Sequence, residues 1–339
     1  MAAMNSIAHQ DDPRRHRLEA WLQGALGLRG FRLTPASADA SFRRYFRLHL
    51  PGETRIVMDA PPEREDTGPF RRLSARLLAM GLHVPEVLAA DAEAGFLLLT
   101  DLGDRPYLPA LNDSTADALY GDALAALRRL QAGDTADLPP YDRALLMQEM
   151  HLFRDWYLGT HLGLRLSDDE QALLDAAFEA LAASALEQPV VFVHRDYHSR
   201  NLMIGEPNPG ILDFQDAVAG PVTYDAVSLL RDCYIAWPRA RVEAWLRQHH
   251  ARARADGLLD GVDFATFLHW FERMGIQRHL KATGIFARLN HRDGKPGYLN
   301  DIPRTLGYVR EAARRCPELG EFGAFIETRV IPQLQESHR

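Results

Sequence analysis

Cysteine and lysine are both scarce in this chain, and each scarcity excludes a kind of chemistry. Of 339 residues only Cys233 and Cys316 are cysteines, and no CxxC pair occurs. A disulfide framework and a thiolate zinc site are therefore excluded. Among the 39 basic residues only Lys281 and Lys295 are lysines, so any chemistry that requires a lysine has two candidates.

Long apolar runs and an excess of positive charge are also absent. No stretch approaches the roughly 18 apolar residues of a membrane span, and the opening segment has no apolar core of the kind that a secretory signal needs. We therefore expect a cytoplasmic protein without a membrane partner. The net charge of −7 argues against nucleic-acid binding through a basic surface, and we expect a monomer that acts on a small molecule.

The periodicity of the chain predicts two regions of different texture. Residues 1–12 are polar and predicted to be disordered, and a short helix is predicted from residue 14. Alternating apolar residues over 42–50, 55–58, 84–90 and 95–100 predict strands, with a helix over 70–80 between them. Residues 1–102 are thus predicted to form a small antiparallel sheet with an inserted helix.

Helical periodicity dominates from residue 103 to residue 339. Helices are predicted over 119–130, 145–158 and 173–186, and an arginine-rich segment over 247–254, with His249 and His250, is predicted to be a solvated helix face. One strand-like island, 189–193, interrupts them and is followed by a shorter one at 210–214. The predicted fold class is α+β.

Chemistry-bearing residues cluster directly after these two islands. The string His194-Arg-Asp-Tyr-His-Ser-Arg-Asn201 places a carboxylate, Asp196, five residues before a carboxamide, and Ile211-Leu-Asp-Phe214 adds a second carboxylate at Asp213. Hard oxygen ligands on tight loops after buried strands are typical of a phosphoryl-transfer site. Turn residues that cap local backbone are the alternative explanation.

These strings resemble the catalytic loop and metal-binding turn of the protein-kinase-like fold. The short run from Asp213 to Asp225, with no activation segment, is similar to the aminoglycoside phosphotransferase branch. Further strings at 41–47, 58–62, 97–104 and 213–217 resemble the bacterial cell-wall recycling kinases that phosphorylate the anomeric hydroxyl of N-acetylmuramate and N-acetylglucosamine. The resemblance implies a bilobal fold, with a small antiparallel-sheet N-lobe, a larger helical C-lobe and the nucleotide between them.

The resemblance also implies roles for individual residues, with ATP and Mg²⁺ as cofactors. Asp196 corresponds to the catalytic base, and Asn201 and Asp213 correspond to the magnesium ligands. His194 corresponds to a prop for the loop, and Asp225 to a carboxylate that braces the loop through its backbone. Residues 99–102 correspond to the hinge that meets adenine, so Thr100 and Leu102 are predicted to bind the nucleotide.

The chain departs from the kinase pattern at two places. The predicted third strand has no lysine to hold the phosphates, so Arg43, Arg44 or Arg47 is the natural substitute, because guanidinium grips phosphate bidentately. A solvated strand face is the alternative for these arginines. The preceding turn also lacks the GxGxxG signature, and Ser41 is predicted to take over its role.

The sugar-binding residues are less clearly marked. Positions 278 and 281 share a helix face, so together they could hold the carboxylate of muramate; a solvated face is the alternative. The predicted substrate-binding residues are His198, Gln215, Asp216, Asp232, Gln277, Arg278 and Lys281. Two rival functions stay open at this point: phosphorylation of another hydroxyl compound such as an aminoglycoside, and a pseudokinase that binds nucleotide without turnover.

Overall fold

The computed structural model describes residues 12–38 and 42–336, and the chain divides into two compact units. The first unit comprises the described residues up to 79 together with 84–103, and the second comprises 80–83 and the described residues from 104 onward. The predicted boundary left residues 80–83 in the first unit. They belong to the second because the His83 carbonyl accepts a hydrogen bond of 2.7 Å from Ile211 N. The disorder predicted over 1–12 falls outside the described residues except at Asp12.

The first unit is a five-stranded antiparallel sheet with two helices. Its elements are α1 (Pro13–Gly24), β1 (Arg32–Ala38), β2 (Arg44–Leu50), β3 (Glu53–Asp59), α2 (Gly68–Ala79), β4 (Val87–Asp91) and β5 (Phe96–Thr100), with strand order β1-β2-β3-β5-β4. Pro51 and Gly52 make the turn between β2 and β3, where Gly52 has φ 83°, a conformation that glycine adopts without steric cost. The predicted small sheet is confirmed.

Helix α1 closes one face of this sheet. Asp12 caps the helix by accepting from Arg14 N at 3.1 Å and Arg15 N at 3.2 Å, which satisfies backbone donors that lack intrahelical partners. Leu18 and Leu22, one turn apart, are fully buried against the core side chains of β2, β3 and β5. Apolar burial of this kind, rather than helix propensity, holds so short a helix in place.

The second unit is mainly helical. Its helices are α3 (Tyr107–Ala110), α4 (Ala116–Gln131), α5 (Arg143–Leu152), α6 (Asp168–Leu186), α7 (Tyr224–Leu230), α8 (Arg239–Ala255), α9 (Phe264–Asp293), α10 (Ile302–Ala313), α11 (Gly320–Phe325) and α12 (Ile331–Glu336). Two π-helical segments, Phe153–His161 and Ile326–Val330, and two 3₁₀ segments, Pro296–Asp301 and Pro317–Leu319, complete the helical part. The short strands are β6 (Val190–Val193), β7 (Leu202–Met203), β8 (Gly210–Ile211) and β9 (Val218–Pro221).

Helix α9 is the central support of the second unit. It runs for 30 residues, begins at an Asp263 cap that accepts from Thr266 N at 2.7 Å, and ends at Gly294 with φ 64°. Most of its side chains from Phe267 to Leu289 are buried. A helix that is buried around much of its circumference lies inside the core, so its polar residues face other parts of the protein.

The predicted solvated face of α8 is wrong at two residues, whereas Arg247, Arg252 and Arg254 are exposed as predicted. His249 and His250 on α8 are 1% and 5% exposed, and both rings pack against Phe267 at centroid distances of 6.1 and 5.3 Å. The solvated face was predicted because arginines surround these two histidines in the sequence. Among the described residues, no helix is long and apolar enough to span a bilayer.

Candidate active site

Two short strand pairs carry the loops that hold the predicted chemistry. Strand β6 pairs antiparallel with β9, and β7 pairs antiparallel with β8, where Leu202 faces Ile211. The chain leaves β6 at residue 194 and enters β7 at residue 202, so the eight residues between them form one constrained loop. The β7–β8 pairing continues through a 2.9 Å hydrogen bond from Leu212 N to Asn201 O, which sets Asn201 beside Asp213.

The structure brings the three predicted catalytic and metal-binding residues together. The Asn201 amide Nδ2 donates to the Asp196 carbonyl at 3.0 Å and lies 3.3 Å from the Asp213 carboxylate Oδ2. Asp213 has φ 66°, and Arg195 in the loop has φ 77°. Non-glycine residues in this left-handed region carry backbone strain and concentrate at functional sites.

Buried polar groups fix the loop from behind. Asp225, at the start of α7, accepts from His194 N at 2.7 Å and from Arg195 N at 3.0 Å. The His194 ring Nδ1 accepts from Asp196 N at 3.2 Å, and burial lowers the pKa of His194 to about 4, so the ring is neutral at pH 7. Asp225 and His194 therefore hold the backbone of the loop through hydrogen bonds to its N–H groups.

Nearby cations keep Asp196 ionised. Burial by itself raises the pKa of a carboxyl group. At Asp196 that effect is outweighed by the positive charges of Lys281 and Arg278 and by the histidines His198 and His194, and the pKa lies below its usual range. The carboxylate is therefore charged at neutral pH and can orient a hydroxyl group by accepting its hydrogen bond.

Lys281, the cation that most lowers the pKa of Asp196, forms an ion pair with Glu149, a residue that the sequence analysis did not identify. Glu149 on α5 is 4% exposed, and it accepts from Arg195 Nη2 at 2.5 Å and forms an ion pair of 2.9 Å with Lys281 Nζ. Tyr141 Oη also donates to Glu149, and Gln277 Nε2 lies 3.3 Å from both Glu149 and Tyr141. The one signal in the sequence was a charged residue at core spacing between Leu146 and Met150.

This cluster corrects one predicted sugar contact. Lys281 donates to Tyr224 Oη at 2.9 Å besides its ion pair with Glu149, so its charge is compensated inside the protein. Helical spacing predicts a shared face but not the partners packed against it. Gln277 is fully buried and its Nε2 faces the same cluster, but its Oε1 has no hydrogen-bond partner among the described residues, so its role stays a prediction.

Asp232 is a second correction. Its side chain is fully buried, and its Oδ2 accepts from Ser199 N at 2.9 Å and from Ser199 Oγ at 2.5 Å. The other oxygen, Oδ1, accepts from Tyr234 N at 2.9 Å. Both oxygens thus hold the backbone of the catalytic loop and of the segment after α7, instead of sugar hydroxyls.

Four other predicted substrate residues keep atoms available for a ligand. His198 is half-buried, packs edge-on against Tyr234 at 5.3 Å, and has an Nδ1 with no hydrogen-bond partner among the described residues. Asp216 is exposed, and Gln215 is half-buried. Arg278 is buried, with one long contact from Nη1 to Cys233 Sγ at 3.7 Å. Their roles in binding stay predictions.

The donor set around Asp213 fits a hard divalent cation. Gln215 Nε2 donates to Asp213 Oδ1 at 2.7 Å, while Gln215 Oε1 is buried without a hydrogen-bond partner among the described residues. An orphaned buried oxygen beside a carboxylate and the Asn201 amide is an environment that attracts a cation, and oxygen ligands are those that Mg²⁺ prefers. Asn201 and Asp213 would hold such an ion.

The predicted phosphate-binding arginines lie in the first unit, where carboxylates already engage them. Arg44 donates to Asp59 from Nε at 2.9 Å and from Nη2 at 2.5 Å, and it also pairs with Asp12. Asp59 is fully buried and accepts from Arg14 as well. Both nitrogens reach the same Asp59 oxygen, and the guanidinium links β2 and β3 to the start of α1. Phosphate binding by Arg44 stays a prediction.

The other nucleotide-binding predictions have mixed outcomes. Arg47 forms hydrogen bonds of 2.7 and 3.1 Å with Asp101, so it too has a structural partner, whereas Arg43 lies 3.5 Å from a Glu65 oxygen and stays a prediction. Thr100 uses its N–H and Oγ1 to bond the backbone of residue 86. Leu102 stays a prediction, and Ser41 lies outside the described residues.

Comparisons with known proteins identify phosphotransferases as relatives. The family described as "Phosphotransferase enzyme family" matches residues 32–264. A Pseudomonas aeruginosa protein named N-acetylmuramate/N-acetylglucosamine kinase is 48% identical over 338 residues, covering 96% of this chain and 99% of the relative. A Neisseria meningitidis protein of the same name is 42% identical, covering 92% and 95%.

Solved structures support the fold. A choline kinase from Streptococcus pneumoniae superposes with a TM-score of 0.62 at 10% identity, covering 87% of this chain and 99% of that one. An ADP-bound aminoglycoside phosphotransferase gives 0.56 at 14% identity, covering 87% and 98%. The predicted kinase-like fold class is confirmed. The family match over residues 32–264 and the identity of the curated relatives together show that this chain belongs to the phosphotransferase enzyme family.

Proposed function

We propose that this chain is an ATP-dependent kinase that phosphorylates the anomeric hydroxyl of N-acetylmuramate and of N-acetylglucosamine in peptidoglycan recycling. Relatives that carry this kinase name are 42–50% identical over most of the chain. The observation that carries the proposal is the Asn201 amide, which joins the Asp196 backbone to the Asp213 carboxylate. Because the reaction consumes ATP, we place it in the cytoplasm.

Asp196 is proposed to act on the acceptor hydroxyl. Its ionised carboxylate accepts the hydroxyl proton, which leaves the oxygen lone pair directed at the γ-phosphorus of ATP. A bond forms between the sugar oxygen and that phosphorus, the bond to the ADP oxygen breaks, and the proton passes to Asp196. The transition state of such transfers is loose, so positioning and charge stabilisation contribute more than basicity.

Asn201 and Asp213 are proposed to hold Mg²⁺, which would neutralise charge on the β- and γ-phosphates. Gln215 orients the Asp213 carboxylate by donating to its Oδ1 at 2.7 Å. The backbone bonds from Asp225 to residues 194 and 195 fix the approach of the loop. These contacts join side chains to the backbone of the loop and to the Asp213 carboxylate, and groups fixed in this way favour a preorganised site.

The test of the proposal is Asp196→Asn. We expect turnover of N-acetylglucosamine to fall by at least about a hundredfold, the lower range for a lost catalytic base, with nucleotide affinity nearly unchanged. The matched control is Asp260→Asn, because Asp260 is an exposed carboxylate on the turn after α8. Normal turnover in Asp196→Asn would remove this residue from the proposed role.

The site of phosphorylation is tested separately by phosphorus NMR of the product. A phosphate on C1 couples to the anomeric proton and is acid-labile, whereas a phosphate on C6 is stable in acid. Turnover of an aminoglycoside in preference to either amino sugar would support the rival kinase function. Nucleotide binding without magnesium-dependent ADP release would support a pseudokinase.

A further inference from the structure

Arg278 is a buried cation whose hydrogen-bonding capacity is largely unused within the described residues. It lies on α9, is 6% exposed, and forms no ion pair with any carboxylate of residues 12–38 and 42–336. Its Nη1 contacts Cys233 Sγ at 3.7 Å, and its Nε is buried without a hydrogen-bond partner. Arginine carries five donors and cannot lose its charge in a protein, so this side chain retains unsatisfied hydrogen-bonding capacity.

The neighbouring buried cations differ from Arg278 in this respect. Arg195 and Lys281 share Glu149, at 2.5 and 2.9 Å, and Arg231 pairs with Glu311 at 3.2 Å. Burying an unpaired charge costs several kcal/mol. A site that retains such a charge next to its reacting groups is suited to a ligand that supplies the counter-charge.

The position of Arg278 is on the acceptor side of the site. Its Cζ lies 6.0 Å from the centroid of the Tyr224 ring, and the next residue, Asp225, holds the backbone of the catalytic loop. Cys233, its contact, adjoins Asp232, which holds Ser199 of the catalytic loop through two hydrogen bonds. Nη1 is turned toward Cys233, so the Nε–Nη2 edge is the one without partners among the described residues. That edge matches the two oxygens of a carboxylate.

We propose that Arg278 binds the carboxylate of the acidic acceptor sugar and thereby sets the preference for N-acetylmuramate over N-acetylglucosamine. This inference rests on the proposed function. The two sugars differ in the lactyl ether of N-acetylmuramate, which carries the only carboxylate of either molecule. Lys281, predicted from helical spacing to share this task, is excluded by its ion pair with Glu149; Arg278 acts alone.

The two sugars provide the experiment. In Arg278→Gln we expect the KM for N-acetylmuramate to rise at least about tenfold, since hydrogen bonds to charged groups are worth roughly 1.5–3 kcal/mol. The KM for N-acetylglucosamine, which has no carboxylate, should stay within about twofold of wild type. Arg278→Lys should recover part of the loss. Arg273→Gln is the matched control, because Arg273 lies on the same helix and pairs with Glu318 at 2.5 Å.

Three results would overturn the inference. An equal loss of turnover with both sugars would assign Arg278 to the transferred phosphoryl group or to the support of the loop. Unchanged kinetics with both sugars would show that it binds neither. Wild-type protein that phosphorylates neither sugar would overturn the proposed function and this inference with it.

A second measurement uses wild-type protein and does not depend on the folding of a variant. The methyl ester of N-acetylmuramate keeps the shape of the lactyl group but lacks its charge. We expect the KM for the ester to exceed that for the acid by at least about tenfold. Equal KM values for acid and ester would overturn the inference.

Discussion

At the residue scale, Glu149 compensates two cations beside the catalytic loop. Burial raises the pKa of its carboxyl, but Lys281 and Arg195 outweigh that effect and hold the pKa below its usual range. The pKa of Lys281 is in turn raised by Tyr224 and Glu149 against the effect of burial. The cluster therefore stays fully charged at neutral pH, and the field of Lys281 reaches Asp196.

Replacement of Lys281 should change the pH dependence of the reaction. In Lys281→Met the cation that most lowers the pKa of Asp196 is lost, so that pKa rises. Asp196 is active when ionised, and activity is lost as the pH falls through its pKa. The acidic limb of the kcat/KM profile should therefore move to higher pH, measured with N-acetylglucosamine between pH 4 and 8.

Lys295→Met is the control for this prediction, since it removes the only other lysine from a segment after α9. Its acidic limb should coincide with that of wild type. An acidic limb in Lys281→Met that stays at the wild-type pH would show that Lys281 does not tune Asp196.

The proximity of site residues could be predicted where one contiguous motif contained them. Asp196 and Asn201 lie five residues apart in a single loop, and Asp213 follows on the next strand pair, so the sequence brings them together by itself. The ion pairs of Arg44 and Lys281 could not be predicted because their partners are distant: Asp59 lies across a hairpin, and Glu149 is on a helix far earlier in the chain. A charge pattern does not show which opposite charge tertiary packing will supply.

At the element scale, α9 and the segment joining α5 to its π-helical continuation cross at very short range. A Cβ built on Gly284 would lie 2.5 Å from Leu152 O and 2.5 Å from Phe153 N, and closer still to the Leu152 carbonyl carbon. These are backbone atoms, which cannot rotate away as a side chain can. Glycine at this position lets two helices approach more closely than any other residue would allow.

Gly284→Ala should destabilise the second unit. Overpacking in a core costs about 1–3 kcal/mol, and the clash with backbone favours the upper part of this range. The matched control is Gly307→Ala within α10, where an added Cβ meets nothing within 4 Å and helix propensity favours alanine by roughly 1 kcal/mol. Urea denaturation measures both, and equal midpoints for the two variants would contradict the close crossing.

Whether a strand could be predicted from the sequence depended on its position in the sheet. The β2–β3 hairpin was predictable because alternating apolar residues flank a Pro-Gly turn. Strand β1 was missed because Pro35 interrupts it, yet β1 is an edge strand whose ladder is irregular between Pro35 and Ser37. Proline is tolerated at such an edge. Strand β9 was missed as well, since Gly220 and Pro221 obscure its pattern.

At the scale of the whole molecule, buried titratable groups set the response of stability to pH. Burial lowers the pKa of His194 to about 4 and those of His249 and His279 to about 3, against 6.5 in an unfolded chain. Their contribution to stability is present above pH 6.5 and is lost as the pH falls. Asp225 opposes them, because burial raises its pKa to about 7, so its contribution declines as the pH rises from about 4 to 7.

His249→Phe should isolate one of these contributions. Neither ring nitrogen of His249 has a hydrogen-bond partner among the described residues, so phenylalanine removes the titration without breaking a bond. Between pH 7.5 and 5.5 wild type should lose about 1.4 kcal/mol more of its unfolding free energy than the variant. Urea denaturation at both pH values measures the difference, and parallel changes in the two proteins would refute the buried, neutral state of His249.

The chain passes from one unit to the other at three places, because residues 80–83 join the second unit between two segments of the first. Leu82 is 4% exposed there, and His83 makes a parallel bridge to Gly210. A fragment cut after residue 103 would consequently carry residues 80–83 without their partners in the second unit. The remaining piece would lose the bridge between His83 and Gly210 and the hydrogen bond from Ile211 N to the His83 carbonyl. To express the two units separately, the chain would have to be cut at other positions, or residues 80–83 would have to be joined to the second unit.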